Sequence, residues 1–191
     1  KTDKFVFVDT DSMFCSPFCG DDRFSIPLNV RIVGMRGALN SLGKWEMLYS
    51  ASGVRMPNIR IKVTETYTAQ SDEVYIPPYF NSGFIAIHSI FANQLSHCWL
   101  GIYKNIIDSN IAVDNECNYF AEQTSLSIAI QKLYIPYEIM SEPEIDSLVF
   151  HYYVASNIKK WGKKSLALSL IKEFPQIGKI LRQNKNWAFL F

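Results

Sequence analysis

The sequence predicts an α/β domain with a mixed sheet and flanking helices. Near its start stands a hydrophobic run, Phe5-Val6-Phe7-Val8, without polar alternation. Such a run reads as a strand buried on both faces, as in a parallel or mixed sheet. A later run, Phe84 to Ile87, reads as another buried strand. Between such runs, apolar residues recur at helical intervals, as in Leu95, Trp99, Ile102 and Ile106. At 191 residues the chain is long enough for one domain with a sizeable core.

The elements follow in order. Phe5–Val8 ends in Asp9-Thr10-Asp11, and Cys15 to Arg23 is a loop punctuated by Pro17 and Gly20. Ile26 to Val33 alternates in part and reads as a strand. Leu39 to Tyr49 reads as a short helix, with Leu42, Trp45, Leu48 and Tyr49 at helical spacing. Ile59 to Thr68 alternates as a half-exposed strand does. Pro77-Pro78 stops any regular element. Asn81-Ser82-Gly83 then precedes the buried run, and its glycine would let backbone approach a ligand closely. Phe91 to Ile107 is a helix, and a further helix begins at Glu122, an acidic residue that the helix dipole favours there. Lys132 to Ile139 reads as a short strand broken by Pro136, and Leu148 to Tyr153 as a strand carrying His151. Ser165 to Phe174 is a helix, and Ile177 to Phe191 is mixed basic and apolar.

The acidic pair is the first chemical signal. Residues two apart on an extended segment point the same way, so Asp9 and Asp11 can face one cleft at a strand end. Open α/β sheets bind ligands at that edge. Two facing carboxylates repel unless a cation shares them, and hard oxygen ligands suit Mg²⁺ or Mn²⁺ against substrate phosphates. The plain alternative is a strand followed by an acidic turn. Three enzyme classes place such a motif on a strand: nucleotide-sugar glycosyltransferases, family B DNA polymerases and haloacid-dehalogenase-type phosphatases. The phosphatase pattern fails at Ser12 and Met13, where Gly and Thr or Val are expected. The polymerase reading leaves the Asn-Ser-Gly and Glu-Gln blocks unexplained, so no nucleic-acid partner is expected.

Charge is unevenly spread. The chain is net +1, yet residues 157–191 hold eight Lys or Arg against one Glu. A basic end can meet phosphate groups or an anionic membrane surface. Cys15, Cys19, Cys98 and Cys117 show no matched zinc pairs, and with three His the expectation is free thiols in a reducing compartment. No run of eighteen apolar residues and no signal peptide is read, so the expected location is cytoplasmic, with peripheral membrane contact as an extension.

Four blocks, in order, resemble the GT-A type nucleotide-diphospho-sugar transferases. The nearest likeness is to the retaining family that includes glycogenin and lipooligosaccharide galactosyltransferases. Phe7-Val8-Asp9-Thr10-Asp11 resembles the Asp-x-Asp strand, and Tyr79-Phe80-Asn81-Ser82-Gly83-Phe84-Ile85 the Tyr-Phe-Asn-x-Gly strand. Glu122-Gln123 followed by Leu126 resembles the Asp-Gln-x-x-Leu helix start. His151-Tyr152-Tyr153 with Lys159-Lys160-Trp161 resembles the His-Tyr block followed by Lys-Pro-Trp. The resemblance implies Mn²⁺ (or Mg²⁺) held by Asp9, Asp11 and His151 against the donor diphosphate. It implies that Lys159 or Lys160 adds positive charge there, that Asn81 and Gly83 border the donor, and that Glu122 and Gln123 serve the reacting centre. The partners implied are a nucleotide-sugar and a carbohydrate or lipid-linked glycan acceptor.

The likeness also divides the chain. Residues 1–156 would be the metal-binding and acceptor-side part, and residues 157–191 the diphosphate rim and helical tail. Glu122 replaces the commoner Asp, and the proline of Lys-Pro-Trp is missing. The family's nucleotide-binding first half has no counterpart, so the expected fold is the C-terminal portion of a GT-A, Rossmann-like domain. A fragment is expected, and a non-catalytic carbohydrate-binding or structural remnant is the alternative function.

Overall fold

The computed structural model describes residues 3–9, 12–14, 27–32, 39, 41–62, 75–109, 111, 120–140, 149–151 and 164–183. The chain divides into two compact units. The first holds Lys1–Val8 with Asp21–Met140, and the second Asp9–Gly20 with Ser141–Phe191.

Unit one is an α/β layer structure. Its strands include β1 (Lys4–Val8), β3 (Leu28–Ile32), β6 (Phe80–His88) and β7 (Tyr137–Ile139), in the sheet order β1-β6-β3-β7. β6 is antiparallel to both β1 and β3, while β3 and β7 run parallel, so the sheet is mixed as expected. β6 lies between two partners and is buried from Ser82 to Ile87. A two-stranded ribbon, β4 (Ile61–Lys62) with β5 (Tyr75–Ile76), stands beside it in sequence. The longer strand expected from Ile59 is described only as far as Lys62.

β1 corrects an expectation. The sequence reads it as buried on both faces, but it is an edge strand with Phe5 51% and Phe7 49% exposed. An apolar run carries no label saying which neighbours it receives. Here β6 pairs one edge, and the alternate residues Phe5 and Phe7 face outward.

The helices match their apolar periods. α1 (Leu42–Ala51) buries Trp45, Leu48 and Tyr49. Trp45 has no exposed surface, donates its indole N–H to the Leu39 carbonyl at 2.8 Å, and meets the Tyr79 ring edge-on at 5.2 Å. A buried indole needs that acceptor, because its desolvated N–H would otherwise go unpaired. α2 (Ser89–Asp108) buries Leu95, Ile102 and Ile106 on one stripe. His88 closes β6 and caps α2, with its Nδ1 accepting from the Ile90 N–H at 3.3 Å. Its own N–H donates to the Pro27 carbonyl at 2.8 Å, which fixes where strand becomes helix.

α3 (Ala121–Lys132) packs on α2 and β6 and is buried at Ala121 and throughout Thr124 to Ile130. The strand expected over Lys132 to Ile139 begins only after Pro136, because α3 persists to Lys132 and its end turns through Leu133 and Tyr134. Tyr134 takes a φ of 51° there, a left-handed conformation that ends the helix.

In unit two, β2 (Ser12–Phe14) pairs antiparallel with β8 (Val149–His151), and two helices follow, α4 (Lys164–Glu173) and α5 (Pro175–Gln183). β2 and α5 are elements that the sequence reading does not contain. Proline at the first helical position of α5 is compatible with a helix, since its missing N–H has no intrahelical partner there.

Candidate functional site

Asp9 is the first residue of unit two and follows directly on β1. The Ser12 N–H donates to the Asp9 carbonyl at 3.0 Å. Asp11 itself lies outside the described residues, as do Lys159 and Lys160. β2 then resumes, and its register sets Ser12 opposite His151. Residue 151 is thus brought from far along the chain to the position directly after Asp11. Ser12 Oγ is buried and has no hydrogen-bond partner among the described residues. Among those residues no group of three or more His, Cys, Asp or Glu is placed to hold a metal ion.

Unit one positions the other candidates. β1 ends with Val8 opposite Phe84 of β6. Beside that point the β3–β6 register slips: Val30 faces Ile85, but Arg31 faces Asn81. Residues 82–84 have no partner of their own across that step, so β6 bulges at Ser82 to Phe84. Bulges re-aim side chains and occur next to active sites. The Asn81 carboxamide oxygen accepts from the Gly83 N–H at 2.6 Å, fastening the bulge from within. That bond occupies Oδ1 and leaves the amide Nδ2 as the side chain's donor.

Ser127 of α3 connects the bulged strand to Gln123. Its hydroxyl accepts from the Phe80 N–H at 2.9 Å and donates to the Gln123 carbonyl at 2.9 Å. Phe80 and Ser127 are fully buried, so this hydroxyl satisfies a strand donor that water does not reach. Asn81 and the helical turn bearing Gln123 are fixed to each other through it. Gln123 is half-buried, and its Oε1 is buried with no partner among the described residues. Glu122 has an exposed side chain. Its carbonyl accepts from the Trp99 indole N–H at 2.9 Å and from the Ser125 hydroxyl at 2.8 Å.

Trp99 and Ser127 were missed as positioning residues. The apolar spacing marks Trp99 only as helix core, and no pattern marks Ser127. The available hint was its place four residues after Gln123, where a serine hydroxyl can bond the carbonyl one turn back.

Residues 1–134, more than half of the chain, match the family model described as the Rhodobacterales glycosyltransferase domain, and the chain belongs to that family. The matched stretch takes in Asp9, Asp11, Asn81, Gly83, Glu122 and Gln123, and ends before His151, Lys159 and Lys160. No curated protein and no solved structure matches the chain.

Proposed function

We propose that the protein is a GT-A type glycosyltransferase, nearest in kind to the retaining glycogenin and lipooligosaccharide galactosyltransferases. It moves a hexose from a nucleotide-diphosphate sugar to a glycan or lipid-linked acceptor, with Asp9, Asp11 and His151 holding Mn²⁺ or Mg²⁺. The observation that carries this reading is the register. The β2–β8 pair sets the residue after Asp11 opposite His151, which gives the acidic pair and a residue about 140 positions further along the chain a reason to act together.

The donor set fits such an ion: two carboxylates and an imidazole suit Mn²⁺. The unpartnered Oγ of Ser12, the residue after Asp11 in sequence, is a polar atom that a hydrated ion or a diphosphate oxygen could satisfy. When bound, the ion supplies charge stabilisation for the leaving diphosphate. The chain's own residues supply the rest. Lys159 or Lys160 adds positive charge for the diphosphate. Gly83 donates its N–H to the Asn81 carboxamide oxygen where the strand borders the donor, and Asn81, with Oδ1 so occupied, presents an amide donor to a sugar hydroxyl. Gln123 offers its unpartnered Oε1 as an acceptor, and the exposed Glu122 carboxylate is available to an acceptor hydroxyl. In this reading residues 1–156 hold the metal and acceptor, and residues 157–191 border the diphosphate.

A panel of nucleotide-sugars with and without Mn²⁺ tests this, scored for hydrolysis and for transfer. The expected result is Mn²⁺-dependent turnover of one donor, lost in Asp9→Asn and Asp11→Asn. Absence of both turnover and Mn²⁺-dependent donor binding would refute it. Donor or glycan binding without turnover would instead support a carbohydrate-binding remnant.

A further inference from the structure

Tyr49 lies in the last turn of α1 and is 1% exposed, yet its phenolic oxygen has no hydrogen-bond partner among the described residues. A buried polar atom left in that state is an exception that calls for a partner. Beyond α1 the chain turns at Gly53, whose φ is 64°, and the Val54 N–H donates back to the Tyr49 carbonyl at 3.0 Å. That return brings the start of the segment bearing Arg60 back against Tyr49. Arg60 is half-buried. Among the described residues its guanidinium is hydrogen-bonded through Nη1, to the Pro57 carbonyl and, at 3.0 Å, to the Ile59 carbonyl. Both Nη1 hydrogens are thereby used. The Nε–Nη2 edge remains, and that edge grips an oxyanion bidentately. The Arg60 charge reaches the phenol and draws its ionisation down, against the stronger upward push of burial. Tyr137 of β7 is the other titrating side chain that acts on it, and it pushes upward as well. The phenol therefore stays protonated at neutral pH and is a donor.

We propose that Arg60 and Tyr49 form a binding site for a tetrahedral oxyanion, a phosphate group borne by inorganic phosphate or by a phosphate monoester. Two of its oxygens take the Nε–Nη2 edge of Arg60, and a third accepts from the Tyr49 hydroxyl. The guanidinium meets solvent and the hydroxyl does not, so the anion enters on the Arg60 side. The third contact selects the ligand. A carboxylate has two oxygens and spends both on the fork, whereas a phosphate keeps one for the phenol. A water molecule would satisfy the hydroxyl but leave the half-buried positive charge without a counter-charge. The site uses none of the residues assigned to sugar transfer, so either reading can fail without the other.

Isothermal titration calorimetry of the whole chain at constant ionic strength tests it, with inorganic phosphate, glycerol 3-phosphate and acetate as titrants. Both phosphates should bind, and the tighter of the two names the source of the group. Acetate should bind roughly tenfold more weakly, because it lacks the oxygen for the phenol. Tyr49→Phe keeps the ring and its packing and should weaken phosphate on the order of tenfold, the worth of a hydrogen bond to a charged group. Arg60→Lys keeps the charge, loses the fork and should weaken it by a similar factor, about tenfold. In thermal melts, phosphate should raise the Tm of the parent more than that of Tyr49→Phe, which shows in the same samples that the variant is folded. No uptake of either phosphate by the parent would overturn the proposal. So would parental phosphate affinity in Tyr49→Phe, or acetate binding as tightly as phosphate, since either result leaves the hydroxyl without a role.

Discussion

Ser127→Ala isolates the link between the bulged strand and the helix that carries Gln123. Its hydroxyl makes two bonds of 2.9 Å, one from the Phe80 N–H and one to the Gln123 carbonyl. Removal leaves the Phe80 N–H without its partner in a site with no exposed surface. An orphaned buried donor costs about 1–3 kcal/mol. The Gln123 carbonyl retains its place in the helix ladder, so losing the second bond adds little. Alanine is the better helix former by about 0.5 kcal/mol, which offsets part of the cost. The net expectation is a loss of about 1–2 kcal/mol in urea unfolding, with faster hydrogen exchange at the Phe80 amide than at the amides of α2. Ser127→Thr keeps the hydroxyl and should retain the slow exchange. An alanine variant as stable as the parent, with Phe80 exchange unchanged, would show that the hydroxyl does not hold the strand.

Tyr49→Phe should stabilise the protein by about 1 kcal/mol, because it removes a buried hydroxyl that has no partner among the described residues. Burial raises this phenol far above its ordinary value of 10.0, while Arg60 pulls the other way and is outweighed. Above pH 10.0 the unfolded chain's tyrosine ionises and the folded one does not, so parental stability falls with rising pH there. Urea melts on either side of that pH should show a shallower alkaline decline in the phenylalanine variant. Gly178→Ala should destabilise the α4–α5 corner by about 1 kcal/mol, since overpacking against the rigid Ile171 Cγ2 exceeds the helix-propensity gain. Ile171→Ala in the same chain should restore the helical circular-dichroism signal. Trp99→Phe should loosen the start of α3, read as faster exchange of the Thr124 to Leu126 amides, because it removes the indole N–H that holds the Glu122 carbonyl.

Legibility followed the range of the interactions. α2 was readable because Leu95, Trp99, Ile102 and Ile106 announce their shared face within the helix itself. α1 was readable for the same reason, through Trp45, Leu48 and Tyr49. β1 was recognised as a strand, but its position at the sheet edge depends on β6, some eighty residues away. The bulge at Ser82 to Phe84 was equally hidden, because it is a mismatch between two strands and neither sequence contains it alone. β2 is only three residues long and exists through its partner β8, so no local period could reveal it. The stretch from Ile177 reads only as mixed basic and apolar, and α5 contains two poor helix formers, Pro175 and Gly178. In place they start the helix and admit the Ile171 side chain.

The same division holds for the candidate site. Asn81, Gly83, Glu122 and Gln123 could be picked out by residue type and order. Their fastening could not, because Ser127 and Trp99 act through bonds to backbone at Phe80 and Glu122. The family match on residues 1–134 supports the class of protein that those blocks suggested.

Titration of Mn²⁺ into the protein, followed by the loss of the free-ion electron paramagnetic resonance signal, addresses the central claim directly. One ion per chain should be taken up, more tightly when a nucleoside diphosphate is present, and uptake should be strongly weakened in Asp9→Asn, Asp11→Asn and His151→Gln. Uptake by all three variants equal to that of the parent, or no uptake with or without the diphosphate, would contradict the account.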